Sequence, residues 1–456
     1  MVPQPTRLSP SLACNVDPEA VRRDLQEQLR CARARTDAMF ALLEPEAFDA
    51  RPIPERNRLV FYLGHLEVFD WNLLVRDCLR HPSRDAAWEQ RFAFGIDPTD
   101  GELPRDRAED WPTVETVRRR NAELRADVDA RLAKAPLQGW LERGWAWRLC
   151  IEHRAMHAET LAYSLAWLPH EHKKPGPKPA GIDAVPPRTE IVRIPGGHAT
   201  LGRDREERHA GWDNEFDVHR VFVPPFAIDR YAVTNAQWLE FMDAGGYQND
   251  HLWTPVDWAW RCARGIDRPG YWHGEPSAWR WRAMFASVPL PLAWPVYVSH
   301  AEASAYARWR GKRLPSEAQW HRAALGTIEG QERVHPWGSA APAPGLHGNF
   351  GFAAWDPLPI DAHPSGQSAF GVHGMCGNGW QWTRTVFAPF SGFEPLPFYR
   401  GYSANFFDGV HFVAKGASPA TEPMFLRRAF RNWFQPRYPY VYATFRCVDD
   451  EGACGT

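Results

Sequence analysis

Along the first 170 residues, apolar side chains recur every three or four positions in four long runs. The first, DPEAVRRDLQEQLRCARARTDAMFALL, opens on Asp17, a residue suited to an N-cap. RNRLVFYLGHLEVFDWNLLVRDCL is a second run. TVETVRRRNAELRADVDARLAKA is a third, with charge on its outer positions, and WAWRLCIEHRAMHAETLAYSLAWL is the fourth. Four such runs predict an antiparallel four-helix bundle over residues 1–170.

The pattern then changes. Residues 171–188 hold five prolines and two glycines among lysines, which predicts a linker. From 189 to 456 the apolar runs are short, as in TEIVRIPGG and HRVFVPPFAIDRYAV, and Gly and Trp interrupt them throughout. Only TNAQWLEFMDAGG and SHAEASAYARWRGK carry clear helical spacing there. No repeat of fixed period is visible. The whole reads as an α+β multidomain chain: a bundle, a linker and a mixed domain poor in regular structure.

Bulk properties narrow the partners. Across 456 residues the net charge is −2, so no basic excess invites nucleic acid or an anionic membrane. No apolar run reaches membrane-spanning length, and the N-terminus lacks an apolar stretch of signal-peptide length. The eight cysteines are scattered and none falls in a CxxC pair, which argues against a zinc ribbon. Reduced thiols and a cytoplasmic location are therefore expected. The 23 tryptophans, set among 41 prolines and 34 glycines, predict a loop-rich fold held by aromatic packing. They also suit a pocket for a cationic ligand.

The candidate chemistry lies on the bundle. His153 and His157 are four apart on the fourth helix, so they share a face. His65 lies mid-way along the second helix between apolar neighbours. Facing helices could bring all three to one ion. Three neutral imidazoles leave coordination positions open, which suits catalytic Zn(II) or Fe(II). His170 and His172 fall near the linker and are expected to be solvated.

The second domain carries a more specific signal. GWDNE (211–215), VTNAQWLEFMDAGGY (233–247), PVYVSHAEASAYARWRGKRLPSEAQWHRAA (295–324), HPWG (335–338), GNGWQWT (377–383) and RRAFRNWFQP (427–436) occur in that order. Together they resemble the formylglycine-generating-enzyme (sulfatase-modifying-factor) superfamily, which implies a C-type-lectin-like fold. True formylglycine generators use a cysteine pair near the C-terminus. The corresponding stretch here, VAKGASPATEPMFLRRAFRNW, has none. A DinB-like bundle ahead of such a domain resembles the ergothioneine-synthase (hercynine sulfoxide synthase) family and its selenoneine-synthase relatives.

That resemblance implies a set of roles. His65, His153 and His157 would hold a nonheme Fe(II). The reaction would join sulfur or selenium to the imidazole carbon of hercynine, the trimethylated betaine of histidine, using O2. FRNWF would place Asn432, Trp433 and Phe434 against the trimethylammonium group, which aromatic faces recognise. PLPFYRGYSANFF (395–407) fits the family's YxxYS block. It would make Tyr399 the proton donor to reduced oxygen and Tyr402 a contact of the imidazole.

Three departures bear on the chalcogen donor. Met156 stands before the last histidine, where family members carry a glutamine that orients the imidazole. Phe434 stands where users of γ-glutamylcysteine carry an aspartate. YLGHLEVFDWN lacks the family's usual HxxWFxE pattern. Losing the aspartate removes a partner for an ammonium group, so cysteine or a donor without an amino-acid head group is expected. The look of FYLGHLEVFDWN favours a selenosugar and the selenoneine branch. Two other classes compete: a zinc-dependent DinB-like thiol transferase, and a non-enzymatic binding module.

Overall fold

The computed structural model describes residues 17–93, 103–205, 211–276 and 278–450. The N-terminal segment read above for a signal peptide, and with it Cys14 and Cys454, lies outside those residues. The described residues form two compact units. One runs to Gly176 and includes residues 211–212 and 396–400; the other takes residues 177–205, 213–395 and 401 onward.

The first unit is helical. Its helices are α1 (Pro18–Ala41), α2 (Leu59–Asp70), α3 (Ala86–Arg91), α4 (Val114–Leu132) and α5 (Trp145–Trp167). Beyond Asp70 the second run continues as a π-helical stretch, Trp71–Cys78. Asp17 caps α1 by accepting from the Glu19 amide, and Thr113 caps α4 by accepting from the Thr116 amide. Helix α5 starts instead from Gly144 at φ 73°, where a Cβ would come within 2.3 Å of the Leu25 side chain. In α2 every residue except Phe69 is buried, which is why its sequence shows no polar face. Helix α1 packs on α5, and α2 packs on both α4 and α5, which closes the helices into a bundle.

Charge is buried where α2 meets α5. Arg154 donates to Asp70 Oδ2 at 2.7 and 2.9 Å and to Glu67 Oε2 at 2.6 Å. Arg125 of α4 donates to the other Glu67 oxygen at 2.8 Å. Burial alone would raise the Glu67 pKa, but Arg154 and Arg125 outweigh it and hold the carboxyl at about 2. A pairing this exact in shape fixes the register of α2 against α5, and with it the histidines one turn away.

The second unit is built from short strands and four helices among the described residues. The strands are β1 (Ile191–Ile194), β2 (Gly197–Leu201), β3 (His219–Val223), β4 (Phe226–Asp229), β5 (Trp272–His273), β6 (Arg280–Arg282), β7 (Ser287–Pro289), β8 (Gly379–Val386), β9 (Phe412–Ala417), β10 (Asn432–Phe434), β11 (Ala443–Thr444) and β12 (Val448–Asp450). They form sheets in the orders β1-β4-β12, β10-β9-β8-β11, β2-β3 and β5-β6-β7. The helices are α6 (Asn235–Asp243), α7 (Pro255–Arg264), α8 (His300–Trp309) and α9 (Glu317–Leu325). One core cluster joins Ile194, Phe226 and Ile228 to Trp320, Met375 and Val448.

Two of these helices, α7 and α9, go beyond the two that apolar spacing singled out. Neither carries an apolar repeat that stands out in the sequence. Their caps carry the signal instead. Ser316 and Gln319 make a reciprocal capping box at α9, and Thr254 caps α7 ahead of Pro255.

No helix among the described residues is long and apolar enough to cross a membrane. Cys31, Cys78, Cys150, Cys262, Cys376 and Cys447 are free thiols.

Candidate metal centre and aromatic site

Helices α2 and α5 bring His65, His153 and His157 together, with one ring nitrogen from each lying within 4.8 Å of the others. The Nε2 atoms of His65 and His153 are 3.2 Å apart. His65 Nδ1 donates to the Phe92 carbonyl at 2.7 Å, so its Nε2 presents a lone pair inward. Gly64 permits that approach, since a Cβ there would sit 2.5 Å from a Phe92 ring carbon.

Burial keeps all three rings neutral. It pushes the His65 pKa down to about 4, against a partial counter-effect from the Phe92 carbonyl. Burial also drives His153 and His157 well below the ordinary value, helped by their neighbours' charge. Neutral imidazoles are the form that binds a metal. The Nδ1 atoms of His153 and His157 are buried without a hydrogen-bond partner. Three neutral, convergent nitrogen donors fit a divalent transition metal that keeps open positions.

Around this cluster the helical unit supplies rings and one carboxylate. Phe69 lies face to face with His153, centroids 3.5 Å apart at 12°. Its edge meets Tyr399, 5.6 Å away at 61°. The sequence reading gave Tyr399 to the second domain, but Leu396–Arg400 packs with the helices. The reason is aromatic: Phe398 also lies edge-on to Trp140, at 5.2 Å and 86°. Glu152, beside His153, accepts from the Trp212 indole at 2.7 Å. Met156 is half-buried on α5 next to His157.

The second unit holds the other sequence-predicted residues. Trp433 on β10 stacks on Phe387 at 4.3 Å and 6°. Tyr402 meets it edge-on at 5.4 Å and 84°, and Phe406 lies 5.6 Å away. The strand is anchored at its start by Arg431, which forks onto Glu317 of α9 at 3.0 and 3.1 Å. The Tyr402 loop is anchored by Ser403, whose hydroxyl donates to Asp213 and accepts from Asn214 at 2.8 Å. That gives Asp213 and Asn214 of GWDNE a physical role.

Asn432, Trp433 and Phe434 do not form one wall. Successive strand residues alternate faces. Phe434 lies on the opposite side from Trp433, against Trp382 at 6.0 Å and Tyr438 at 6.3 Å. Asn432 Oδ1 accepts from the Trp433 amide at 2.9 Å. Trp433 packs instead with Phe387, Tyr402 and Phe406.

Comparison with known proteins agrees with both units. Residues 28–161 match the DinB superfamily, and residues 179–451 match the sulfatase-modifying factor enzyme 1-like domain. A hercynine oxygenase of Mycolicibacterium thermoresistibile is 37% identical over 94% of this chain and 95% of its own. The chain belongs to the ergothioneine synthase family. Its α+β organisation, a DinB-like bundle followed by a C-type-lectin-like domain, is the one that membership requires. A hercynine oxygenase of Mycolicibacterium smegmatis is 38% identical over 67% of this chain and 72% of its own. Ergothioneine biosynthesis protein 1 of Neurospora crassa is 28% identical over 90% of this chain and 56% of its own.

Sequence reasoning missed several neighbours of these sites. Phe69 could have been found, because it follows His65 by four residues and so shares its face. Phe92 acts through its backbone carbonyl, which leaves no side-chain signature. Phe387 and Phe406 come from separate loops and carry no pattern linking them to Trp433.

Proposed function

We propose that this chain is an Fe(II)- and O2-dependent oxidoreductase that joins a chalcogen to the imidazole carbon of hercynine. The convergence of His65, His153 and His157 carries the proposal. These three would hold the iron, which when bound supplies redox chemistry and open positions for O2 and the chalcogen donor. Names of relatives that align over nearly the whole chain support hercynine as the substrate.

The chain's own residues would divide the remaining work. A trimethylammonium group has no conventional donor, so an electron-rich ring face is its natural partner. Trp433, half-buried and braced by Phe387, offers that ring, with Tyr402 beside it. Tyr399 would deliver its phenolic proton to oxygen as it is reduced. Its contact with Phe69, itself stacked on His153, supports that role.

For the donor we propose a compound without an amino-acid head group, a selenosugar. Phe434 packs against Trp382 and Tyr438 and brings no carboxylate with which to bind an ammonium group. A sulfur donor, with cysteine as the candidate, is the second reading, favoured by the ergothioneine biosynthesis name of a relative.

The test is anaerobic loading with Fe(II), then O2 and hercynine with cysteine or a selenosugar, read by mass spectrometry. A hercynine-derived selenium adduct supports the proposal. Product with cysteine alone removes the selenosugar. Stoichiometric zinc without O2 uptake would replace the reaction with zinc-dependent thiol transfer. Full activity after replacing all three histidines by alanine would remove the metal site from the reaction, and hercynine binding without turnover of any donor would leave a binding module.

A further inference from the structure

His65 and His153 are oriented by different means. The His65 ring is fixed by a hydrogen bond from Nδ1 to the Phe92 carbonyl. This is the usual way to orient a ligating imidazole, through its second nitrogen. His153 has no such tether: its Nδ1 is buried and has no hydrogen-bond partner. It has Phe69 instead, parallel to within 12° at 3.5 Å.

Phe69 is placed for this by helix geometry. It follows His65 by one turn of α2, and the two rings lie 6.1 Å apart. It is the one residue of α2 that is not fully buried. Its free edge meets Tyr399 at 5.6 Å and 61°, a favoured edge-to-face geometry. A single flat side chain thus touches two candidate metal ligands and the candidate proton donor.

We propose that Phe69 is a positioning residue: its ring sets the plane of the His153 imidazole and, through its edge, the place of the Tyr399 phenol. The part concerning Tyr399 rests on the function proposed above. The part concerning His153 rests only on the three-histidine site. A flat ring is required, because an aliphatic side chain of similar volume gives no plane against which an imidazole can register.

The experiment compares Phe69→Leu, Phe69→Met and Phe69→Tyr in the full chain. Co(II) is the probe, because its binding and visible ligand-field spectrum need no turnover. With Phe69→Leu and Phe69→Met, Co(II) affinity is expected to fall roughly tenfold and the bands to shift, as for loss of other ligand-orienting partners. Phe69→Tyr keeps the ring and should restore both. If one aliphatic variant fails to fold, the other carries the comparison. Wild-type affinity and spectrum in a folded aliphatic variant, or failure of Phe69→Tyr to rescue, would overturn the proposal.

In Fe(II)-loaded protein, the aliphatic variants should also divert turnover from hercynine product toward oxidised donor. An unchanged product ratio in them, where Tyr399→Phe does change it, refutes the Tyr399 arm alone. An unchanged ratio in Tyr399→Phe refutes the proton-donor role itself, and the Co(II) result for His153 stands apart from it.

Discussion

The His65 Nδ1 atom donates to the carbonyl oxygen of Phe92 at 2.7 Å, twenty-seven residues along the chain. This bond selects the tautomer of a buried, neutral ring and turns its other nitrogen toward His153. It makes His65 a fixed donor. Replacing His65, His153 or His157 singly with alanine is therefore expected to abolish stoichiometric iron. The measurement is elemental analysis after anaerobic Fe(II) loading and desalting. A variant that retained full iron would remove its residue from the ligand set.

The Arg154 cluster is expected to behave asymmetrically. Arg154 is fully buried between Glu67 and Asp70. Arg154→Met leaves two carboxylates without their main partner, at a cost of about 3–5 kcal/mol. Replacing Arg154, Glu67 and Asp70 together with apolar residues should cost much less. Denaturant unfolding of both variants checks this, and equal losses would contradict it.

Trp433 is expected to govern the affinity for hercynine. Trp433→Leu removes the ring face while leaving the iron site untouched. A cation–π contact of about 1–2 kcal/mol corresponds to a rise in KM of roughly five- to thirtyfold. Trp433→Phe should lie between. Steady-state kinetics at saturating donor give the values, and an unchanged KM for hercynine would exclude Trp433 from the site.

Acid should weaken the second unit through His300. This ring is buried, donates from Nε2 to the Thr383 carbonyl at 3.1 Å and stacks on Phe412. Burial pushes its pKa from 6.5 down to about 4, partly offset by the Thr383 carbonyl. Below pH 6.5 the unfolded chain takes up a proton that the folded chain refuses until about pH 4. Stability is thus complete above that range and falls by up to about 3 kcal/mol across it. His300→Gln can keep a donor toward Thr383 and should flatten this slope. Urea unfolding at pH 7.5 and pH 5 would show the difference, and parallel slopes would refute it.

Much of this molecule could be read from its residues in order. The four long helices follow from apolar spacing, since a helix buries a stripe and repeats it every turn. His153 and His157 share a face for the same reason, and the second domain declared itself through ordered motifs. Position along the chain could not say where Tyr399 packs. That was decided by rings, Phe398 on Trp140 and Tyr399 on Phe69, which join residues more than two hundred apart. Nor could spacing separate Trp433 from Phe434, because only pairing into β10 sends neighbouring side chains to opposite faces. Local periodicity fixes which residues share a face of one element. The meeting of His65 with the other two histidines, and its carbonyl anchor, depend on packing between elements, which no local pattern encodes.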